Sequence, residues 1–72
     1  MYDYSKLNGR IVEIFGTQGK FSEAMELSER SVSLKLNNRV PFSQNDIKKS
    51  VELLNIPIGE ISDYFFCEKG SD

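Results

Sequence analysis

From Ser5 onward the apolar positions Leu7, Ile11, Ile14 and Phe15 fall at i, i+4, i+7 and i+8, one face of a helix, and Val12 broadens that stripe. Gly16 suits the left-handed residue that ends such a helix, and Thr17 is a good N-cap for the next. Phe21, Ala24 and Met25 form the inner face of this second helix. Gly19 lies inside it and costs about 1 kcal/mol relative to Ala, which fits a helix held by tertiary contacts. A turn follows at Glu26-Leu27, with Leu27 as an apolar plug and Ser28 as the next N-cap. Val32 and Leu36, four apart, then face inward from a third helix, and Asn37-Asn38 close it.

Beyond this point Pro41 biases Val40 away from helix, so residues 39–42 read as a loop. Ser43 and Asp46 resemble a capping box with the shorter acid. Ile47, Val51 and Leu54 repeat at i, i+4 and i+7, with Leu53 beside them, and Asn55-Ile56-Pro57 interrupts the chain again. Ile58, Ile61 and Phe65 give a last short helix. The pattern predicts an all-α, compact five-helix domain over residues 1–66. Its helices fall near 5–15, 18–25, 29–37, 44–54 and 58–66, followed by a flexible polar tail at 67–72.

Composition narrows the functional classes. Seventy-two residues make one domain with a small core. Cys67 is the single cysteine and histidine is absent, so neither an internal disulfide nor a Cys/His zinc site is expected. No metal, cofactor or enzymatic activity is expected, since no nucleophile–base pair and no Gly-rich phosphate loop occurs. No apolar run reaches the roughly 20 residues of a membrane span, and the first ten residues lack a signal-peptide core. The expectation is a soluble, intracellular protein without a membrane partner. Nine basic and eleven acidic residues leave a net charge of −2. The acid is concentrated late. Residues 56–72 carry Lys69 alone against Glu60, Asp63, Glu68 and Asp72, whereas residues 1–55 are close to neutral. Such a balance permits nucleic-acid binding without arguing for it.

The segment 17–38 reads as two short helices and a tight turn, the pattern of a helix-turn-helix. It resembles the Cro/CI family of phage repressors and their bacterial relatives. Thr17-Gln18 matches that family's opening of helix two, Phe21-Ser22 its apolar-small pair, and Leu27-Ser28 its turn and cap. Val32 matches its core position and Asn37-Asn38 its closing. The downstream residues resemble the family's fourth and fifth helices, so the likeness covers roughly residues 5–66. Ser22 replaces the usual Ala, Glu26 the usual turn Gly, and Asn38 the usual closing Gly.

The resemblance implies that Gln18 contacts a phosphate. It also implies that Glu29, Arg30 and Leu34 occupy base-facing slots, with Ser31, Ser33 and Lys35 nearby. Arg30 would then pair with guanine and Glu29 with a cytosine amine, the plain alternative being a solvated cation and a solvated cap. Leu34 stands two residues from both Val32 and Leu36, so it points away from their stripe. An apolar side chain there is more natural at a protein interface. Tyr64, Phe65 and Phe66 cannot all face one small core. With Tyr2 and Tyr4 they form either an exposed patch suited to a weak homodimer or hetero-complex, or a cover in which Tyr2 or Tyr4 shields Phe66 within the monomer.

The opening residues and the aromatic last helix are most similar to the modulator-of-repression proteins of lactococcal temperate phages. Three readings follow. The first is an antirepressor of the lysis–lysogeny switch that binds the N-terminal DNA-binding domain of a CI-type phage repressor in the bacterial host cytoplasm. The second is a Cro-type repressor that binds operator DNA through helix three. The third is a helical interaction module whose helix-turn-helix is architectural only. Near-neutral charge, Leu34 and the acidic tail favour the protein partner, because a repressor's DNA-binding surface is basic.

Overall fold

Hydroxyl side chains decide where three helices begin. Thr17 Oγ1 accepts the Lys20 amide at 3.1 Å, Ser28 Oγ the Ser31 amide at 3.0 Å, and Ser43 Oγ the Asp46 amide at 3.1 Å. At Ser43 the exchange is reciprocal, since the Asp46 carboxylate accepts the Ser43 amide at 2.9 Å. Each bond satisfies a first-turn donor that the helix leaves open. The structure, a computed structural model, describes residues 1–69. It contains five helices: α1 (Ser5–Phe15), α2 (Gln18–Met25), α3 (Glu29–Leu36), α4 (Gln44–Leu54) and α5 (Ile61–Phe65). A 3-10 turn, Ile58–Glu60, leads into the last. The chain is all-α; the described residues add one isolated antiparallel bridge, between Tyr2 and Glu68.

Three helices end by one backbone device. Glu26, Asn38 and Asn55 take left-handed conformations at φ 61°, 62° and 52°. The following amides, of Leu27, Arg39 and Ile56, reach back five residues to the carbonyls of Ser22, Leu34 and Val51. This pattern satisfies carbonyls that would otherwise be orphaned at the helix end. Cations reinforce two of these ends. Lys49 Nζ donates to the Met25 carbonyl at 3.3 Å, and Arg10 donates to the carbonyls of Leu54 and Asn55 at 2.9 and 3.2 Å. A positive charge is favourable at a helix C-terminus.

The core joins Leu7 and Ile11 of α1, Phe21 and Met25 of α2, Val32 and Leu36 of α3, Leu54 of α4, Ile56, and Tyr64 and Phe65 of α5. Tyr4 closes it from the N-terminal side. Helix α1 packs on α2, α4 and α5, while α2 packs on α3 and α4. Two small polar residues are buried where α2 and α4 meet their neighbours. Ser22 Oγ donates to the Gln18 carbonyl at 2.9 Å and Ser50 Oγ to the Asp46 carbonyl at 2.7 Å, so neither is left unpaired. Ser22 therefore fills an Ala position without an unsatisfied hydroxyl.

Three sequence expectations are corrected. Val12 and Ile14 are exposed, so α1 buries a narrower stripe, Leu7 and Ile11, with Phe15 partly buried at its end. Ile58 is 85% exposed, because the stretch after Pro57 winds as a 3-10 turn and the phase of the last helix shifts. Of the two arrangements offered for the aromatic residues, an exposed patch does not include Tyr4 or Tyr64, both of which are buried, and Tyr2 packs edge-on against Phe66 as the monomer cover has it. Tyr4 stacks edge-on against Phe42, and Phe42 against Phe65, at centroid distances of 5.2 and 5.4 Å. Lys6 Nζ lies 4.7 Å from the Tyr64 ring centroid.

In the expected tail, residues 67–69 run beside the N-terminal segment: the Asp3 amide donates to the Cys67 carbonyl at 2.7 Å and the Lys69 amide to the Met1 carbonyl at 3.0 Å. Residues 70–72 of the expected tail lie outside the described residues.

Candidate functional site

The face built by α2, the Glu26-Leu27 turn and α3 gathers the residues singled out by sequence. Gln18 opens α2 directly after the Thr17 cap and is partly buried. The turn is held without glycine: Glu26 adopts the left-handed conformation, and Leu27 drops onto the core. That plug fixes how α3 leaves α2. Ser28 caps α3 and also bonds the Ser31 hydroxyl at 3.0 Å.

Along α3, Glu29 and Arg30 are exposed, while Ser31, Ser33, Leu34 and Lys35 are partly buried. Leu34 does not join the apolar side chains that pack on the core. Gly19 and Glu29 meet across the two helices. A Cβ added to Gly19 would lie 3.2 Å from Glu29 Oε2, so the starts of α2 and α3 share one face. From the sequence alone Gly19 registers only as a helix-weakening residue.

The electrostatics differ from the simple charge count. Lys35 Nζ binds the Asp46 carboxylate at 2.8 Å, both side chains being largely buried, and reaches the Pro41 carbonyl at 3.4 Å. Burial works to raise the Asp46 pKa, but the Lys35 and Ser43 hydrogen bonds outweigh it and hold the carboxyl below its ordinary value. Lys35 is thus a tie between α3 and α4 and not a ready contact for a ligand. Lys49 is similarly engaged, by Glu26 at 3.0 Å and the end of α2. Among the described residues Lys20 and Arg30 enter no ion pair on this face, and Glu23 and Glu29 stand beside them unpaired. The free charges of α2 and α3 therefore cancel. A surface of this kind concentrates no positive potential, the main source of non-specific nucleic-acid affinity.

The residues considered as a secondary interface divide. Tyr2 is partly buried and stacks edge-on against Phe66 at 5.9 Å, while Phe66 keeps 49% of its surface exposed. Phe66 also lines a groove of about 560 Å³ with Ile47, Val51 and Ile61, between α4 and α5. Tyr4 and Tyr64 belong to the interior, and burial raises the Tyr4 phenol above its ordinary pKa.

A further cluster was not foreseen. The Asn38 side chain accepts the Tyr2 amide and donates to the Tyr2 carbonyl, both at 2.9 Å, clamping the N-terminal segment to the end of α3. The sequence signal for it was weak: an Asn where Gly commonly stands, which conformation alone explains. Among the described residues no three His, Cys, Asp or Glu side chains cluster as a metal site, and no helix is long and apolar enough to cross a membrane.

Comparison with known proteins gives these surfaces a context. A family model described as "Protein of unknown function (DUF739)" matches residues 1–68. No curated protein matches the chain by sequence. Among solved structures it is similar to the modulator of repression of the temperate bacteriophage TP901-1 from Lactococcus lactis. The two are 51% identical, with a TM-score of 0.80 over 90% of this chain and 88% of that one. The resemblance to the lactococcal modulators of repression is thereby established for nearly the whole fold, and the chain belongs to the family described as Protein of unknown function (DUF739).

Proposed function

We propose that this protein is a small phage regulator of the lysis–lysogeny switch that binds the DNA-binding domain of its cognate CI-type repressor and blocks or alters operator binding. The observation that carries this reading is the 51% identity to a phage modulator of repression across nine-tenths of the chain. The charge layout supports a protein partner over DNA. Two of the lysines near α3 are committed to internal bonds, and the face displays Glu29 and Leu34 beside Arg30. An acid and an apolar side chain complement a basic, partly apolar DNA-reading surface on a repressor.

Titration calorimetry and gel filtration of the protein with the repressor's N-terminal domain, with and without operator DNA, test it. A stable complex that competes with operator DNA is expected. No complex at micromolar concentrations would overturn it.

A second reading, direct operator binding of the Cro type, draws support from the capped start of α2 at Thr17-Gln18 and from Arg30, which is exposed and, among the described residues, without an ion pair. It requires salt-dependent operator affinity of the isolated protein, and loss of that affinity in Arg30→Ala.

A further inference from the structure

Aromatic side chains line a pocket of about 360 Å³ to which no residue of α2 or α3 contributes. Four segments converge on it: the N-terminal residues, the loop after α3, α4 through Ile47, and the end of α5. Tyr2, Tyr4, Phe42, Phe65 and Phe66 all line it, and their rings follow one another in a chain. Successive centroids, from Phe66 through Tyr2, Tyr4 and Phe42 to Phe65, lie 5.9, 6.1, 5.2 and 5.4 Å apart. No Asp, Glu, Lys or Arg lines the pocket, and the Asn38 amide group is already engaged by the Tyr2 backbone. An ion would lose hydration here without gaining a counter-charge, so the site suits a neutral ligand.

Tyr4 adds a polar group to these apolar walls. The residue is only 7% exposed, and among the described residues its hydroxyl has no hydrogen-bond partner. No side-chain oxygen or nitrogen there is both sealed off and unpaired, so the surface that Tyr4 keeps includes this hydroxyl. A buried phenol ordinarily finds a partner. Ring faces and a phenol oxygen both accept a proton donor, which favours a ligand N–H over a ligand carbonyl. The volume is about twice the roughly 150 Å³ that takes up benzene, enough for two fused rings but not for a length of chain. We infer that this pocket binds a small, neutral, two-ring aromatic molecule of the indole class, held among Tyr2, Tyr4, Phe42 and Phe66 with its ring N–H donated to the Tyr4 hydroxyl. A concave site walled by four segments suits a free ligand, whereas protein partners spread over broader faces. The chain contains no tryptophan, so a second copy cannot supply the indole.

The absence of tryptophan also gives the test a clean signal, because indole fluorescence then comes from the ligand alone. Wild type and Tyr4→Phe are titrated into dilute indole, 1-methylindole and N-acetyltryptophanamide, and amide chemical shifts of Val40 and Phe66 locate the binding. Wild type is expected to bind indole with a Kd of roughly 1 mM, in the range open to so small a ligand. It should hold 1-methylindole about fivefold more weakly, the worth of one hydrogen bond. Tyr4→Phe keeps the ring and removes the hydroxyl, so this preference should vanish. No shift of Val40 or Phe66 with indole near 10 mM would overturn the inference, as would a preference that survives in Tyr4→Phe. Tighter binding of N-acetyltryptophanamide than of indole would overturn the free-ligand assignment in favour of a partner's tryptophan.

Tyr4 belongs to the core, so Tyr4→Phe is first melted beside the wild type by circular dichroism. If its fold is lost, Val40→Asp supplies the test, since Val40 lines the pocket and is 38% exposed. A carboxylate at that rim should weaken indole binding about tenfold. Unchanged affinity in Val40→Asp would overturn the inference.

Discussion

Glu26 and Asn38 end α2 and α3 with the same left-handed backbone and the same five-residue return bond, yet the two ends serve opposite purposes. At Glu26 the backbone does everything. The side chain reaches outward to Lys49 at 3.0 Å and is 82% exposed, so it contributes little to holding the turn. At Asn38 the side chain binds both backbone groups of Tyr2 and so ties the N-terminal segment, and through it residues 67–69, to α3. One end is an open face with its charges balanced; the other is a closed clamp backed by the Tyr2, Phe66, Tyr4 and Phe42 rings. Identical local geometry therefore carries a display surface in one place and a structural joint in the other.

The sharpest way to break this contrast is at the clamp. Asn38→Ala should cost about 3 kcal/mol, from two hydrogen bonds near 1 kcal/mol each and about 1 kcal/mol for Ala in a left-handed conformation. Asn38→Gly keeps the conformation and should cost about 2 kcal/mol. Urea denaturation of both variants separates the two contributions: their difference reads the left-handed strain, and an Asn38→Gly variant as stable as the wild type would mean that the side-chain bonds contribute nothing.

Lys35→Ala should cost about 1–2 kcal/mol at neutral pH, since it leaves the largely buried Asp46 carboxylate without its ammonium partner. The Asp46 pKa is lowered in the folded protein, so this stabilisation is complete above the ordinary value of 3.8 and is lost as pH falls through the folded value. The stability gap between Lys35→Ala and wild type should accordingly narrow below about pH 4. A gap that stays constant through pH 3 would contradict the assignment.

Glu26→Gly should act in the opposite direction, stabilising by about 1 kcal/mol because glycine adopts φ 61° freely. Thermal melting of this variant beside Asn38→Gly gives changes of opposite sign at two ends of the same geometry. The smallest stability effect belongs to Arg30→Ala, expected within about 0.5 kcal/mol of wild type, as befits a side chain available to a partner. A larger loss would show that Arg30 holds the fold.

Much of the fold was legible because local chemistry wrote it. Thr17, Ser28 and Ser43 each carry a hydroxyl that can accept an amide three residues on, and each does so. The apolar spacing placed Leu7, Ile11, Val32, Leu36 and Leu54 in the core. Periodicity misjudged Val12, Ile14 and Ile58, because it reports that a face exists without saying how wide a neighbour covers it. The α3 residues Glu29, Arg30 and Leu34 could be read as outward from their phase alone, but Lys35 could not be read as engaged, since its partner Asp46 lies eleven positions away on another helix.

The sequence by itself determined that this chain is a small all-α domain with three capped helix starts, because caps and periodicity involve residues within one or two turns of each other. Only the tertiary structure decided which charges remain free, which tyrosines are buried, and that the two ends of the described chain are joined. Those outcomes depend on pairs far apart in sequence: Lys35 with Asp46, Asn38 with Tyr2, Asp3 with Cys67, and Glu29 with Gly19. Whether a charge is spent inside the fold or offered to a partner depends on what packs beside it.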